Sequence, residues 1–222
     1  MYFVLFISIA LLSWAVSALL DHRFKKYAKV YLPLTGREVA EKMLRDNGIY
    51  DVQVTCTPGH LTDHYDPRNK TVNLSEAVSS SNNVAAAAVA AHECGHAVQH
   101  AFSYAPLNMR SALVPVVNFA SQWVTWILLG GILMVETFPQ LLLVGIILYA
   151  LTTLFAFITL PVEINASRRA IAWLEQSGIT DYQTIPMASS ALRSAAYTYV
   201  VAALSSLGTL IYYILIFTSR RD

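Results

Sequence analysis

Four stretches of this 222-residue chain, 2–20, 114–135, 138–160 and 195–217, are mostly apolar and contain no charged residue. Each is long enough to cross the roughly 30 Å hydrocarbon layer as a helix. This constrains the fold more than any other feature, because backbone inside lipid must satisfy its own hydrogen bonds. A hydrophobic share of 55%, a mean hydropathy of +0.48 and a charged share of only 13% fit the same reading. The basic residues follow the first apolar run rather than precede it, so that run reads as a retained anchor and not a cleaved signal. Glu136, Thr137 and Pro139 make a tight hairpin between the second and third spans.

Thirteen of the 15 lysines and arginines fall in segments 21–113 and 161–194, and the remaining two are Arg220 and Arg221. Four spans put those two segments on one face, and the excess of positive charge makes that face cytoplasmic. The net charge of +1 gives no bulk attraction to nucleic acid. Two cysteines, Cys56 and Cys94, cannot build a disulfide framework and read as buried small residues. Asn118, Ser121 and Gln122 inside the second span read either as part of a wet substrate route or as interhelical hydrogen-bonding groups or a sign that the span begins later.

The expected architecture is a mainly α membrane protein with a cytoplasmic α+β domain carrying a small antiparallel sheet. Its parts are a first transmembrane segment (1–20), a cytoplasmic segment (21–113), a transmembrane pair (114–160), a second cytoplasmic segment (161–194) and a fourth span (195–217). Thr35 and Glu38 have capping-box spacing ahead of a short amphipathic helix that Asn47 and Gly48 stop. Alternation of Tyr50, Val52, Val54 and Cys56 with polar residues predicts a half-buried strand, and strands are expected near 61–65 and 70–74. Pro161 is expected to open a helix that Ser177 and Gly178 end.

Residues 84–102 are alanine-rich, with no proline and only Glu93 charged, and so predict one helix preceded by a capping loop at 79–83. Inside it lies His92-Glu93-Cys94-Gly95-His96, an H-E-x-x-H sequence. Side chains four apart share a helix face, so two imidazoles can converge on one zinc ion while Glu93 reaches the water in the open position. Zinc acidifies that water and Glu93 takes its proton, which is the chemistry of peptide hydrolysis.

A catalytic zinc needs a third ligand and a vacancy. His100 lies roughly 12 Å along the helix from His92 and cannot share its ion. Glu163 comes from a second helix on the same membrane face and is the better third ligand. Cys94 points off that face, and Gly95 allows a neighbouring element to pack closely. Arg168 and Arg169 either stabilise an oxyanion or pair with lipid phosphate or a carboxylate. The 61–66 segment is open to two readings. It could pair with an extended substrate, bringing Asp63, His64 and Arg68 near the cleft, or Asp63 and Asp66 could be turn residues with His64 and Tyr65 packed beneath the sheet.

The run Glu163-Ile164-Asn165-Ala166-Ser167 resembles the E-x-x-A-D ligand motif of glutamate-ligand zincins such as the HtpX-type membrane proteases. Together with residues 61–68, 90–97 and 161–169, the chain is similar to the YugP-like neutral zinc metallopeptidases over nearly its whole length. The resemblance implies a zincin-like catalytic domain in a bacterial plasma-membrane peptidase, with Zn²⁺ on His92, His96 and Glu163. It departs from the wider pattern at Ser167, which stands where an aspartate usually orients a zinc-bound histidine. Substrates are then membrane or membrane-proximal proteins cleaved beside the bilayer, with no nucleic-acid partner. A non-catalytic zinc-binding membrane assembly factor is the rival reading, and an intact Glu93 argues against it.

Overall fold

A computed structural model describes residues 2–219; Met1, Arg220 and Arg221, which entered the sequence expectations above, lie outside the described residues. The chain runs α1 (Tyr2–Tyr27), α2 (Gly36–Asp46), β1 (Gln53–Thr57), β2 (His64–Asp66), β3 (Thr71–Ser75), α3 (Glu76–Ser79), α4 (Val84–Ala101), α5 (Ala105–Leu133), α6 (Pro139–Gln176) and α7 (Thr184–Ser219). Four of these helices, α1, α5, α6 and α7, are long and apolar enough to cross a membrane. Their outer faces carry large exposed apolar side chains, among them Trp14, Phe119, Trp126 and Leu204. A face of this kind suits lipid, since exposing it to water would be costly.

Each long helix extends beyond its apolar stretch. Pro161, expected to start a helix, instead sits inside α6. A proline removes one backbone donor but does not have to break a helix when neighbouring helices hold both sides. Here Val162, Glu163 and Ala166 are all buried just beyond it. The third span and the segment carrying Glu163 are therefore one rod. Ser177 caps its end and Gly178, at φ +72°, turns the chain away. Asn118, Ser121 and Gln122 are exposed and their side chains make no hydrogen bond among the described residues, so they are not interhelical glue.

The sheet is mixed rather than antiparallel. Its order is β1-β3-β2, with β2 antiparallel to β3 and β1 parallel to it. Chain direction reverses at each turn, as an antiparallel arrangement requires, but the last strand inserts between the first two. Burial explains this. Val72 and Leu74 of β3 are fully buried, whereas β1 and β2 are half exposed. A buried strand needs hydrogen-bond partners on both edges, and the centre supplies them. Cys56, expected inside, is exposed on β1, while Cys94 is buried.

Beside the sheet, α2 carries the expected capping box, Thr35 accepting from the Glu38 backbone N–H and Glu38 accepting from the Thr35 backbone N–H. Its Val39, Ala40, Met43 and Leu44 pack into the same core as the alanines of α4. Asn83 accepts from the Ala86 N–H at 2.9 Å and starts α4. Small side chains let α4 run through the middle of this cluster, between α2, α6 and α7.

Candidate metal centre

Backbone proximity sets the site. A Cβ added at Gly95 would stand 2.6 Å from the Ala166 carbonyl oxygen, so the absence of a side chain there is what lets α4 lie directly on α6. Gly95 and Ala166 flank the chemistry on each helix, and their contact brings His92 and His96 opposite Glu163.

The ligand atoms of His92, His96 and Glu163 all lie within 4.8 Å of one another. Glu163 Oε2 is 3.3 Å from His92 Nε2 and 3.6 Å from His96 Nε2. Charge-assisted N–H···O bonds are usually shorter, at about 2.7–2.9 Å. Ligands at zinc–nitrogen and zinc–oxygen distances of about 2.0–2.1 Å in a tetrahedron stand about 3.4 Å apart. The spacing therefore fits three corners of a metal site better than a direct ion pair. Glu163 is almost wholly enclosed, its side chain 4% exposed, while His92 at 15% is the open side.

The other ring nitrogens are also held. His92 Nδ1 lies 3.1 Å from Ser167 Oγ, and His96 Nδ1 lies 3.0 Å from Gln99 Oε1. With Nδ1–H donating to those oxygens, both Nε2 lone pairs face Glu163, the tautomer a metal ligand needs. Ser167, which stands where the wider pattern has an aspartate, thus reaches His92 Nδ1 with its hydroxyl. Gln99 is fully buried and is itself fixed, donating to the Val162 carbonyl at 2.8 Å and to Asn165 Oδ1 at 3.0 Å. Arg169 donates to the same Asn165 oxygen at 2.8 Å, while Arg168 is exposed.

Burial lowers the proton affinity of His96, but hydrogen bonding to Glu163 and the negative charges of Glu93 and Glu163 outweigh it and leave its pKa raised. Burial, with Glu93 adding to it, pushes the Cys94 thiol well above its ordinary value. Its Sγ faces the Ala40 carbonyl at 3.5 Å, so Cys94 is packing and not a ligand. The Glu93 carboxylate makes no hydrogen bond or ion pair among the described residues, although Glu93 is only 9% exposed.

Other residues singled out in the sequence lie elsewhere. His100 shares a 2.7 Å hydrogen bond with the Tyr65 hydroxyl and is outside the metal group. Asp66 accepts from the backbone N–H of Arg68 at 2.8 Å, which makes it a turn residue, whereas Asp63 accepts from the backbone N–H of Ser75 at 2.7 Å and from its hydroxyl, a tie to the end of β3 twelve residues away. Tyr65 packs against α4, but His64 is exposed beside Asn73 and does not pack beneath the sheet. Two contributors went unread. Gln99 could have been found three residues beyond His96 on the same face. Arg110, with Nη1 4.0 Å from Glu163 Oε1, had no sequence signal beyond its charge.

A chain with four apolar helices and a His–His–Glu group, its histidines on the H-E-x-x-H helix α4 and its glutamate on α6, has the outline of a membrane metallopeptidase. It belongs to the family described as "putative neutral zinc metallopeptidase", whose model matches residues 2–218. It is similar to the Bacillus subtilis (strain 168) protein named "Putative membrane protease YugP", 44% identical over 201 residues that cover 90% of this chain and 88% of that relative. No solved structure matches it. The family description implies zinc, and the donor set found here fits that ion.

Proposed function

We propose that this protein is a membrane-embedded, zinc-dependent endopeptidase that cleaves membrane or membrane-proximal proteins by attack of activated water on the peptide carbonyl. The observation that carries the reading is the spacing of His92 Nε2, His96 Nε2 and Glu163 Oε2 beside an unpaired, nearly buried Glu93.

Zinc held by His92, His96 and Glu163 would supply a Lewis acid that acidifies water and polarises the scissile carbonyl. Glu93, on the same helix turn, accepts the proton of the attacking water and passes it to the departing amine. Ser167 and Gln99 keep the two imidazoles in one tautomer and one orientation. Burial works against the charge of Glu163, but its hydrogen bonds to His92 and His96 hold the carboxyl well below its usual range, and Arg110 Nη1 stands 4.0 Å from the Glu163 oxygen turned away from the histidines.

The reading includes a cytoplasmic active site at the membrane border, supported by the basic residues of 21–113 and 161–194. Substrate loops already beside the bilayer are the chains best placed to reach it. Glu93→Gln tests the chemistry. The purified variant is expected to keep its zinc and lose peptide cleavage by about 10²–10⁴-fold. Turnover equal to wild type would remove the mechanism, whereas zinc binding without cleavage by either form would leave a non-catalytic zinc-binding membrane assembly factor as the alternative. If cleavage is lost as expected, crosslinking Glu93→Gln in membranes identifies the bound substrate.

A further inference from the structure

Where α1 leaves its apolar stretch and α7 enters its own, the two helices frame a cleft of about 330 Å³. It is lined by Arg23 of α1 and by Pro186, Ser189, Ser190, Arg193 and Tyr197 of α7. Offsets of four from Pro186 to Ser190 and from Ser189 to Arg193 to Tyr197 put the α7 members on one helix face. The lining contains two guanidinium groups and no carboxylate.

Those guanidinium groups are not spent on the protein. Arg23 donates from Nη1 to the Ser190 carbonyl at 3.1 Å, one of its five N–H donors, and this fixes the group at the cleft wall. Arg193 is exposed and has no hydrogen bond or ion pair among the described residues. The hydroxyls of Ser189 and Tyr197 are likewise unpartnered there, while Tyr27 donates to Ser190 Oγ at 3.1 Å. The acidic residue close to Arg23 in sequence, Asp21, is taken by Lys25 at 2.6 Å. A second cleft, lined by Arg37, Glu41 and Arg45 among others, differs in holding a carboxylate: Glu41 pairs with Arg37 at 2.9 Å.

We propose that the α1–α7 cleft is a phosphate-binding site, separate from the metal centre. Two arginines with open planar forks and neighbouring hydroxyls match the oxygens of a phosphate, which they can bind bidentately. The charge-free stretches of 2–20 and 195–217 place Arg23 just outside the first span and Arg193 just outside the fourth. That is the depth of phospholipid headgroups, where basic pockets between helices take anionic lipids. Tyr197 lies where interfacial aromatics anchor a helix. A phospholipid headgroup and free phosphate share this chemistry, and the bilayer supplies the first at far higher local concentration.

Native mass spectrometry of the full-length protein in detergent tests the site, with phosphatidylglycerol, phosphatidylcholine or inorganic phosphate added in turn. The expected result is retention of phosphatidylglycerol above phosphatidylcholine, reduced about fivefold by Arg193→Gln and further by adding Arg23→Gln. Arg193→Lys should restore only part of it, because a lysine lacks the planar fork. Replacing Lys26 and Lys29, which are exposed at the same border but outside the cleft, should change little. Competition by inorganic phosphate would assign the site to a free anion instead of a lipid and leave the phosphate chemistry standing. Equal retention by the double arginine variant, or an equal loss in the lysine variant, overturns the proposal. Zinc content, read on the same samples, reports whether each variant is folded.

Discussion

His92 Nε2 and Glu163 Oε2 stand 3.3 Å apart although 71 positions separate them in the chain. That separation suits two ligands of one ion, so Glu163→Ala is expected to lose zinc in metal analysis of the purified protein. His100→Ala, whose ring bonds Tyr65 and not the metal group, should keep it. The reverse pattern would show the ligand set to be wrong. Gln99→Leu should weaken zinc binding by about 10–100-fold without removing a ligand.

Gly95 gives a steric prediction. A methyl group there would press on the Ala166 carbonyl, which is backbone and cannot rotate away. Gly95→Ala should therefore cost about 1–3 kcal/mol of stability, read from thermal unfolding. It should also lower zinc affinity, because separating α4 from α6 separates the histidines from Glu163. Unchanged stability and affinity would mean that the two helices can part without cost.

The raised pKa of His96 makes protons and zinc competitors at one nitrogen. A group whose folded pKa is raised stabilises the folded state fully below its unfolded value, and that contribution is lost as pH rises through the folded value. The metal-free protein should thus lose stability as pH rises just above the ordinary histidine range. Zinc affinity should rise across the same window. Calorimetric zinc titrations at several pH values check the sign, and affinity independent of pH there would contradict it.

Exposed Cys56 offers a direct test of orientation. An impermeant thiol reagent on intact cells should leave Cys56 unlabelled and should label Thr137→Cys in a Cys56→Ser background. Thr137 is exposed in the hairpin between α5 and α6. The opposite labelling would put the metal centre outside the cell and change the pool of substrates.

Sequence by itself determined the parts whose causes are local. Uncharged runs of membrane length yielded four helices, the Thr35–Glu38 spacing produced the capping box on α2, and Asn83 started the helix that carries His92, Glu93 and His96. The four-residue period of a helix was enough to pair the two histidines and to dismiss His100. Tertiary structure decided what depends on neighbours far along the chain. Pro161 stayed within α6 because packing holds the helix on both sides of it, and β3 took the middle of the sheet because its two buried apolar residues needed pairing on both edges. Gln99 and Arg110 joined the metal centre only when α4, α5 and α6 came together, since hydrogen-bond and charge complementarity between distant residues leaves no period in the sequence.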